Sequence, residues 1–512
     1  MRIRFYLAVL IAKAAMLALR LLRRGGTQLP GRIALTICPE FLVRIGKPPL
    51  VIAVTGTNGK TTVVNILVDA YEALGVRVVS NRQGSNLNAG VASCLLNDAT
   101  LGGRARAEVA ILEIDERSSR LIYPSVRPDF LVVTNLFRDS VGRNAHPEYI
   151  AYVVDSALPP STRLILNADD LITAQLGAQS NERVFFGVAP QADESQRTES
   201  LSCDIVVCPV CGSTLTYSFV RYHHIGSAFC PACDFRSPEA DYLALTMEAT
   251  SAELVVQLPA ADAQQGTAQH PQQGTVLCCT YAGERALRTT RFHLLNDSIF
   301  NVYNQIAALA VLREAGLSVE QLQAAFSQVA LDQSRYQAQS VEGIDLIMQL
   351  AKGQNAIACS RAFDYIAGQP GRKALVLNLD DYFDARGGSE NITWLYDCDY
   401  EYLNNPDIAQ LVIGGVRSFD QYLRLLIAGV PRERMVRTRF EADTADLVKL
   451  EDIDAVYILY DVYTVDTAQA VRARLHERLS ERSGQAGQAG QAGRPEQSEQ
   501  PEQPERPERR PS

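Results

Sequence analysis

The chain has 512 residues, 47% of them hydrophobic and 21% charged, with a net charge of −9. That length calls for two or three domains, and that composition is ordinary for a globular protein. No basic stripe gives the electrostatic footprint of a nucleic-acid binder, so nucleic acid is excluded as a partner.

The first predicted element is a helix in "FYLAVLIAKAAMLALRLLRR". Lys13 and Arg20 interrupt it, and its longest uncharged run, Phe5 to Ala12, is far short of the roughly 20 residues that span a bilayer. An amphipathic helix is expected, packed on the protein or lying on the membrane surface. A membrane anchor and a signal peptide are the other readings. "GGTQLPG", Gly25 to Gly31, is a turn-rich linker, so residues 1–47 form an N-terminal helix and linker.

From Pro48 onward apolar strands alternate with helical stretches: "LVIAVTG", "VRVVS", "AEVAILEID", "PDFLVVTNL" and "TRLILNADD". Such spacing predicts βαβ units and a parallel sheet, an α/β domain over residues 48–334. Within its first unit, "AVTGTNGKTTVVNIL" reads as a strand, a phosphate loop and a helix. Backbone N–H groups and the helix dipole of such a turn point at phosphate oxygens. Gly56, Thr57, Asn58, Gly59, Lys60, Thr61 and Thr62 are therefore the candidate nucleotide-binding residues. Lys60 would reach the terminal phosphates, and Thr61 or Thr62 would offer a hydroxyl to Mg²⁺. Acids gather where the next buried strand ends, in "ILEIDE"; Glu113 is the candidate Mg²⁺ ligand and catalytic acid.

"CPVCG" and "CPAC" follow, with eighteen residues between the two pairs. Cys208, Cys211, Cys230 and Cys233 can supply four thiolates to a Zn²⁺ ion in a ribbon spanning about residues 203–235. Four sulfurs close the coordination, which makes that metal structural. His223 and His224 lie between the pairs, where four cysteines leave them no vacancy. The paired cysteines point to a reduced, cytoplasmic setting. Cys203, Cys278 and Cys279 are expected to be reduced structural thiols.

The low-complexity stretch 260–275 is expected to be a surface loop, and "FNVYNQIAALAVLREAG" a helix ending at Gly316. A second α/β series, "KALVLNLDD", "IAQLVIGG" and "DAVYILYD", marks a Rossmann-like C-terminal domain over residues 335–480. The Gly/Gln/Pro/Glu repeats of residues 481–512 bury too little apolar surface to order themselves.

Four of these motifs occur together in a known order. "TGTNGKTT" is similar to the phosphate loop of the Mur ligases and folylpolyglutamate synthases, which form amide bonds through an acyl phosphate. "GSNLNAG", "TNLFRD" and "FNVYNQIAA" resemble the segments that follow it in those enzymes. The resemblance implies that Asn301 and Asn304 approach the adenine of ATP. The four-cysteine insertion, "GGTQLPG" and "ITWLYDCDYE" narrow the resemblance to the MurT family, the synthetase subunits of lipid II isoglutaminyl synthases.

That family implies a Mur-ligase-type P-loop ATPase with an inserted four-Cys zinc ribbon and a Rossmann-like C-terminal domain. Its reaction would amidate the α-carboxylate of D-glutamate in the lipid II stem peptide. A GatD-type glutaminase would be bound by the C-terminal domain and supply ammonia. A lipid-linked substrate would place the chain at the inner face of the membrane, with the N-terminal helix as its contact. The family also implies an acid in residues 379–397 that orients a catalytic histidine of the glutaminase. Its usual aspartate position is occupied here by Asn391, with Asp384 or Asp381 as replacements from a shifted loop. Gly142 stands where an acid is expected. Two other readings stay open: a Mur-type ligase that adds an amino acid, and a non-catalytic nucleotide-binding scaffold for the glutaminase.

Overall fold

A computed structural model describes residues 2–22, 28–82, 85–138, 146–191, 194–197, 200–201, 203–248, 251–259, 287–330, 336–351, 355–379, 392–461 and 464–492. Two compact units divide the chain. The first comprises Met1–Gln333 together with Gln354–Tyr365 and Glu390–Tyr400; the remainder forms the second. A boundary at 334/335 therefore misses two later segments that cluster with the first unit.

In the first unit α1 (Arg2–Leu21), α2 (Leu29–Ile37) and α3 (Phe41–Arg44) precede β1 (Leu50–Thr55). There follow α4 (Lys60–Ala73), β2 (Val78–Ser80), α5 (Asn88–Asp98), β3 (Val109–Glu113), α6 (Ser119–Val126) and β4 (Phe130–Val133). Next come α7 (Pro147–Asp155), β5 (Arg163–Asn167) and β6 (Arg183–Val188). A separate antiparallel hairpin, β7 (Thr216–Tyr222) and β8 (Ile225–Phe229), carries the cysteine region. β9 (Tyr242–Glu248), β10 (Glu253–Pro259) and β11 (Leu287–His293) extend the main sheet, and α8 (Ile299–Glu314) and α9 (Val319–Phe326) complete the run.

The nine-stranded sheet has the order β11-β10-β9-β6-β5-β4-β1-β3-β2. All pairs from β2 to β9 are parallel, as the alternating pattern predicts. The antiparallel extension through β10 and β11 was not expected. Its signal is the alternation in "ELVVQLP", where Leu254, Val256 and Leu258 are buried.

Strand β1 is buried on both sides, the reason "LVIAV" is continuously apolar. Ile52 and Val54 share one apolar cluster with α4 and α8 residues, and Val51 and Ala53 share another with α1 and α5 residues. Helix α8 is buried without a break from Val302 to Arg313, which explains its all-round apolar sequence.

In the second unit β12 (Tyr336–Val341) and β13 (Ile344–Leu350) form a hairpin. Its turn residues Glu342 and Gly343 have φ of 51° and 80°, the geometry a two-residue hairpin turn requires. Then come α10 (Ala356–Gly368), β14 (Lys373–Asn378), α11 (Trp394–Asp397), β15 (Ile408–Ile413) and α12 (Ser418–Ile427). β16 (Met435–Arg437), α13 (Thr444–Leu447), β17 (Ala455–Tyr460) and α14 (Val465–Ala492) end the chain's described part. Residues 356–365 of α10, and all of α11, belong to the first unit. The second sheet runs β12-β13-β17-β14-β15-β16, parallel from β13 onward and thus Rossmann-like. Helix α14 runs past the expected domain end at 480 to Ala492, so the "GQAGQAG" repeats begin inside a helix. Alanine and glutamine are good helix formers, and α14 already has a docked stem in Val471, Leu475 and Leu479.

Candidate nucleotide site and cysteine ribbon

The loop after β1 turns sharply at two glycines. Gly56 has φ 128° and Gly59 φ 86°, a region that penalises side chains. Space forbids them as well: a Cβ on Gly59 would lie 2.2 Å from Asn304 Oδ1. Asn304 is buried in α8, and Asn301, one turn earlier, donates to Asn296 Oδ1 and Ser298 Oγ at 3.0 Å each. Both asparagines expected at the nucleotide thus come from the helix that backs the phosphate loop.

Lys60 opens α4. Its ammonium donates to the carbonyls of Gly56 and Thr57 and pairs with Glu116 Oε1 at 2.7 Å. Burial would lower its pKa, but Glu116, with Glu113 and Asp115 behind it, holds the charge above the ordinary lysine value. Burial pushes Glu116 up, against the pull of Lys60. The motif "ILEIDE" points to Glu113, whereas the acid that the fold brings to Lys60 is Glu116. Glu113 lies in register with Val54, beside the root of the phosphate loop. Its carboxylate accepts from Asn86 Nδ2 at 3.1 Å, and its main chain is held at both ends by Asn81.

A magnesium site drawn from Thr61 and Glu113 suits the donor set. Both offer hard oxygen ligands at neighbouring strand and helix ends, and three acids already surround the Lys60 charge.

The segment after β4 straps the loop down, and sequence reasoning gave these residues no role. Thr134 Oγ1 donates to Asn58 O at 2.6 Å. Asn135 accepts from Asn58 N–H at 2.9 Å and donates to Asn58 O at 3.1 Å. Phe137 N–H donates to Thr57 Oγ1 at 2.9 Å. From further along the chain, Asn355 Nδ2 reaches Asn58 Oδ1 at 3.3 Å. Replacing Asn135 by alanine is expected to raise KM for ATP about tenfold, since two bonds that fix the loop are lost at about 0.5–1.5 kcal/mol each. ADP release measured against ATP concentration checks this; an unchanged KM would remove Asn135 from the site.

The four cysteines converge as the spacing predicts. Their sulfurs all lie within 4.8 Å of one another, with Cys208–Cys233 at 3.6 Å and Cys211–Cys230 at 3.5 Å. A tetrahedron of Zn–S bonds near 2.3 Å has edges of about 3.8 Å, so the cluster is compatible with zinc.

Two buried ionic clusters bolt the hairpin to the nucleotide domain. In one, Arg221 of β7 pairs with Asp169 Oδ2 at 3.0 Å and Glu194 Oε1 at 2.6 Å, while Tyr303 of α8 donates to Asp169. In the other, His224 Nε2 lies 3.1 Å from Asp170 Oδ1, and its Nδ1 lies 2.8 Å from His223 Nδ1. The carboxylate sets the tautomers: His224 donates through Nε2, so His223 donates through Nδ1 to it. His223 Nε2 is then a bare acceptor facing Asp204 Oδ2 at 3.7 Å, which is why it has no hydrogen-bond partner. Burial, with His224, Arg138 and Arg361, pushes the His223 pKa far below its ordinary value, so the ring is neutral. Asp170 Oδ2 also accepts from Leu136 N–H at 2.7 Å, and Asp204 Oδ2 from Arg138 N–H at 2.9 Å. The strap on the phosphate loop is therefore itself held by the ribbon.

Asp139, Gly142, Gly84, Asp381, Asp384, Asn391, Cys278, Cys279 and the 260–275 stretch lie outside the described residues.

Residues 54–217 match the Mur ligase middle domain family, and residues 352–465 match the MurT ligase C-terminal family. Subunit MurT of the lipid II isoglutaminyl synthase (glutamine-hydrolyzing) of Staphylococcus aureus (strain COL) is 28% identical over 429 residues, covering 83% of this chain and 89% of that protein. The MurT subunit of Streptococcus pneumoniae (strain R6) is 26% identical over 446 residues, covering 86% and 90%. A pseudomurein peptide ligase type C from Methanothermus fervidus superposes with a TM-score of 0.61 at 17% identity, covering 86% of this chain and 81% of that one, a likeness of fold. With a Mur-type P-loop sheet, the cysteine ribbon and both family matches in one chain, this protein is similar to the MurT subunits over most of its length.

Proposed function

We propose that this chain is the synthetase subunit of a lipid II isoglutaminyl synthase. It would use ATP to amidate the α-carboxylate of D-glutamate in the stem peptide, with ammonia supplied by a GatD-type glutaminase. The observation that carries the reading is the buried Lys60–Glu116 pair at the head of α4, with Glu113 one strand away. The MurT names of the relatives supply the substrate class.

The chemistry follows from those groups. The loop amides of residues 56–62 and Lys60 would hold the ATP phosphates and neutralise charge on the transferring phosphoryl group. A Mg²⁺ ion on Thr61 and Glu113 would polarise that group. A substrate carboxylate oxygen attacks the γ-phosphorus, and ADP leaves. Ammonia then attacks the acyl carbon; phosphate departs, and the nitrogen loses a proton to give the amide. Ammonia is mostly ammonium at neutral pH, which favours delivery from an adjoining glutaminase in the cytoplasm. Asp384, Asp381 and Asn391 are the candidates for completing that partner's catalytic triad.

The test is to co-express the chain with a candidate class I glutaminase and incubate the purified pair with lipid II, ATP, Mg²⁺ and glutamine. Mass spectrometry should find the roughly one-dalton loss that turns –OH into –NH₂. A mass gain matching an added amino acid would instead favour an amino-acid-adding ligase. A stable complex that binds ATP without turnover would favour the scaffold reading.

A further inference from the structure

Helix α1 has two apolar faces. Phe5, Ala8, Val9 and Ala12 are buried against the first unit. At 3.6 residues per turn the opposite face carries Ile3, Leu7, Leu10, Leu17 and Leu21, and these are between 46% and 77% exposed. A surface helix ordinarily turns charge outward, so an outward apolar stripe along most of a 20-residue helix marks a surface made to be covered.

The charged residues say what covers it. Arg2, Lys13 and Arg20 project along one flank of the stripe and Arg4 along the other, with no acid in the helix. Arg23 and Arg24 follow in sequence. Gly103, beside the Phe5 ring, leads into the exposed Arg104 and Arg106. Residues 1–47 carry nine Lys and Arg against a single acid, Glu40, while the rest of the chain has forty against fifty-seven.

The helix is fixed flat on its unit. Lys13 donates to Leu96 O at 2.8 Å and Arg20 to Asn97 Oδ1 at 2.5 Å, both at the end of α5. No helix among the described residues is long and apolar enough to cross a membrane.

We propose that the outward face of α1 docks the chain on an anionic bilayer surface, its leucines in the interfacial layer and its arginines among the lipid phosphates. A second copy is a poor occupant, because a two-fold contact through this face would set one basic flank against another. The inference is independent of the proposed reaction.

The test uses the full chain and two sets of vesicles, one of pure phosphatidylcholine and one with a third of the lipid replaced by phosphatidylglycerol. Cosedimentation should be at least tenfold stronger on the anionic vesicles and fall as salt rises. The variant L7E/L10E/L17E should lose that binding at least tenfold. Because only exposed positions change, its melting temperature and ATP affinity should match those of the unmodified chain. Equal partition to both vesicle types, no binding to either, or binding indifferent to the triple change would overturn the proposal. So would light scattering that shows a dimer abolished by the same three substitutions.

Discussion

Replacing Lys60 by alanine is expected to reduce ATP-dependent turnover about 10²–10³-fold, the range found when one preorganised donor is removed from developing charge. The geometry makes the effect local, since the ammonium is enclosed by the carbonyls of Gly56 and Thr57 and by Glu116. Cutting a buried ion pair ordinarily costs about 3–5 kcal/mol, because a charge is left alone. Here the remaining partner has an escape. Burial already pushes Glu116 upward, and with Lys60 gone nothing as strong opposes it, so the carboxyl takes a proton. The sign of the pH dependence follows. A folded-state pKa raised above the unfolded one means that the folded variant holds the extra proton, so its stability falls as pH rises past the ordinary glutamate value. The melting deficit of Lys60→Ala against the unmodified chain should therefore be small near pH 5 and grow toward pH 8. An ADP-release assay and melts across that range test both halves. Turnover within a few-fold of the unmodified enzyme, or a deficit that shrinks with rising pH, would sink this account of the site.

The second large effect concerns the ribbon. Purified protein should carry one zinc per chain, and Cys230→Ser should lower both zinc content and ATP affinity. Structural zinc contributes about 10–16 kcal/mol to the folding of isolated zinc-finger peptides. The loss here should be smaller, because Arg221 and His224 hold the hairpin independently of the metal. Several kcal/mol, read as a melting shift of some degrees, is the expected scale. The fall in ATP affinity travels through Asp170, which binds His224 of the ribbon and the Leu136 amide, and through Asp204 of the ribbon, which binds the Arg138 amide, in the same strap that holds the phosphate loop. Hydrogen exchange should show faster exchange at residues 134–138 as well as in the hairpin. Metal-free protein whose Cys230→Ser variant melts and binds ATP like the parent would dismiss the zinc assignment and the coupling together.

What could be read from the sequence was local. The phosphate loop announces itself because strand, glycine turn and helix are contiguous, and four cysteines at fixed spacing carry their own geometry. The parallel strands are legible because burial on both faces makes them apolar runs. The sequence does not single out Glu116, because alternation along β3 fixes where a side chain points only while the strand lasts. Residues 116–118 enter a 3₁₀ turn, and it is this turn that brings Glu116 to Lys60. The buried clusters were invisible for a different reason. Asp169, Asp170, Asp204, Arg221 and the two histidines look like ordinary polar residues until the fold brings partners together from as far apart as Asp169 and Tyr303. Of the two histidines beside the cysteine motif, His224 turns to the Asp170 carboxylate and His223 to His224.

The hydrogen bond from Asn355 to Asn58 joins residues 297 apart in sequence. It gives the phosphate loop a late date of birth. During synthesis Asn58 leaves the ribosome long before Asn355 does, by about 15–60 s at ordinary elongation rates. Through that interval the growing chain has its glycine turn and its lysine but lacks the last tie on the loop. A fragment cut after residue 334 to isolate the ATPase would remain in that unfinished condition permanently. The full hydrogen bonding of Asn58 is thus a property of the completed polypeptide, and a chain ending before Asn355 lacks one of its bonds.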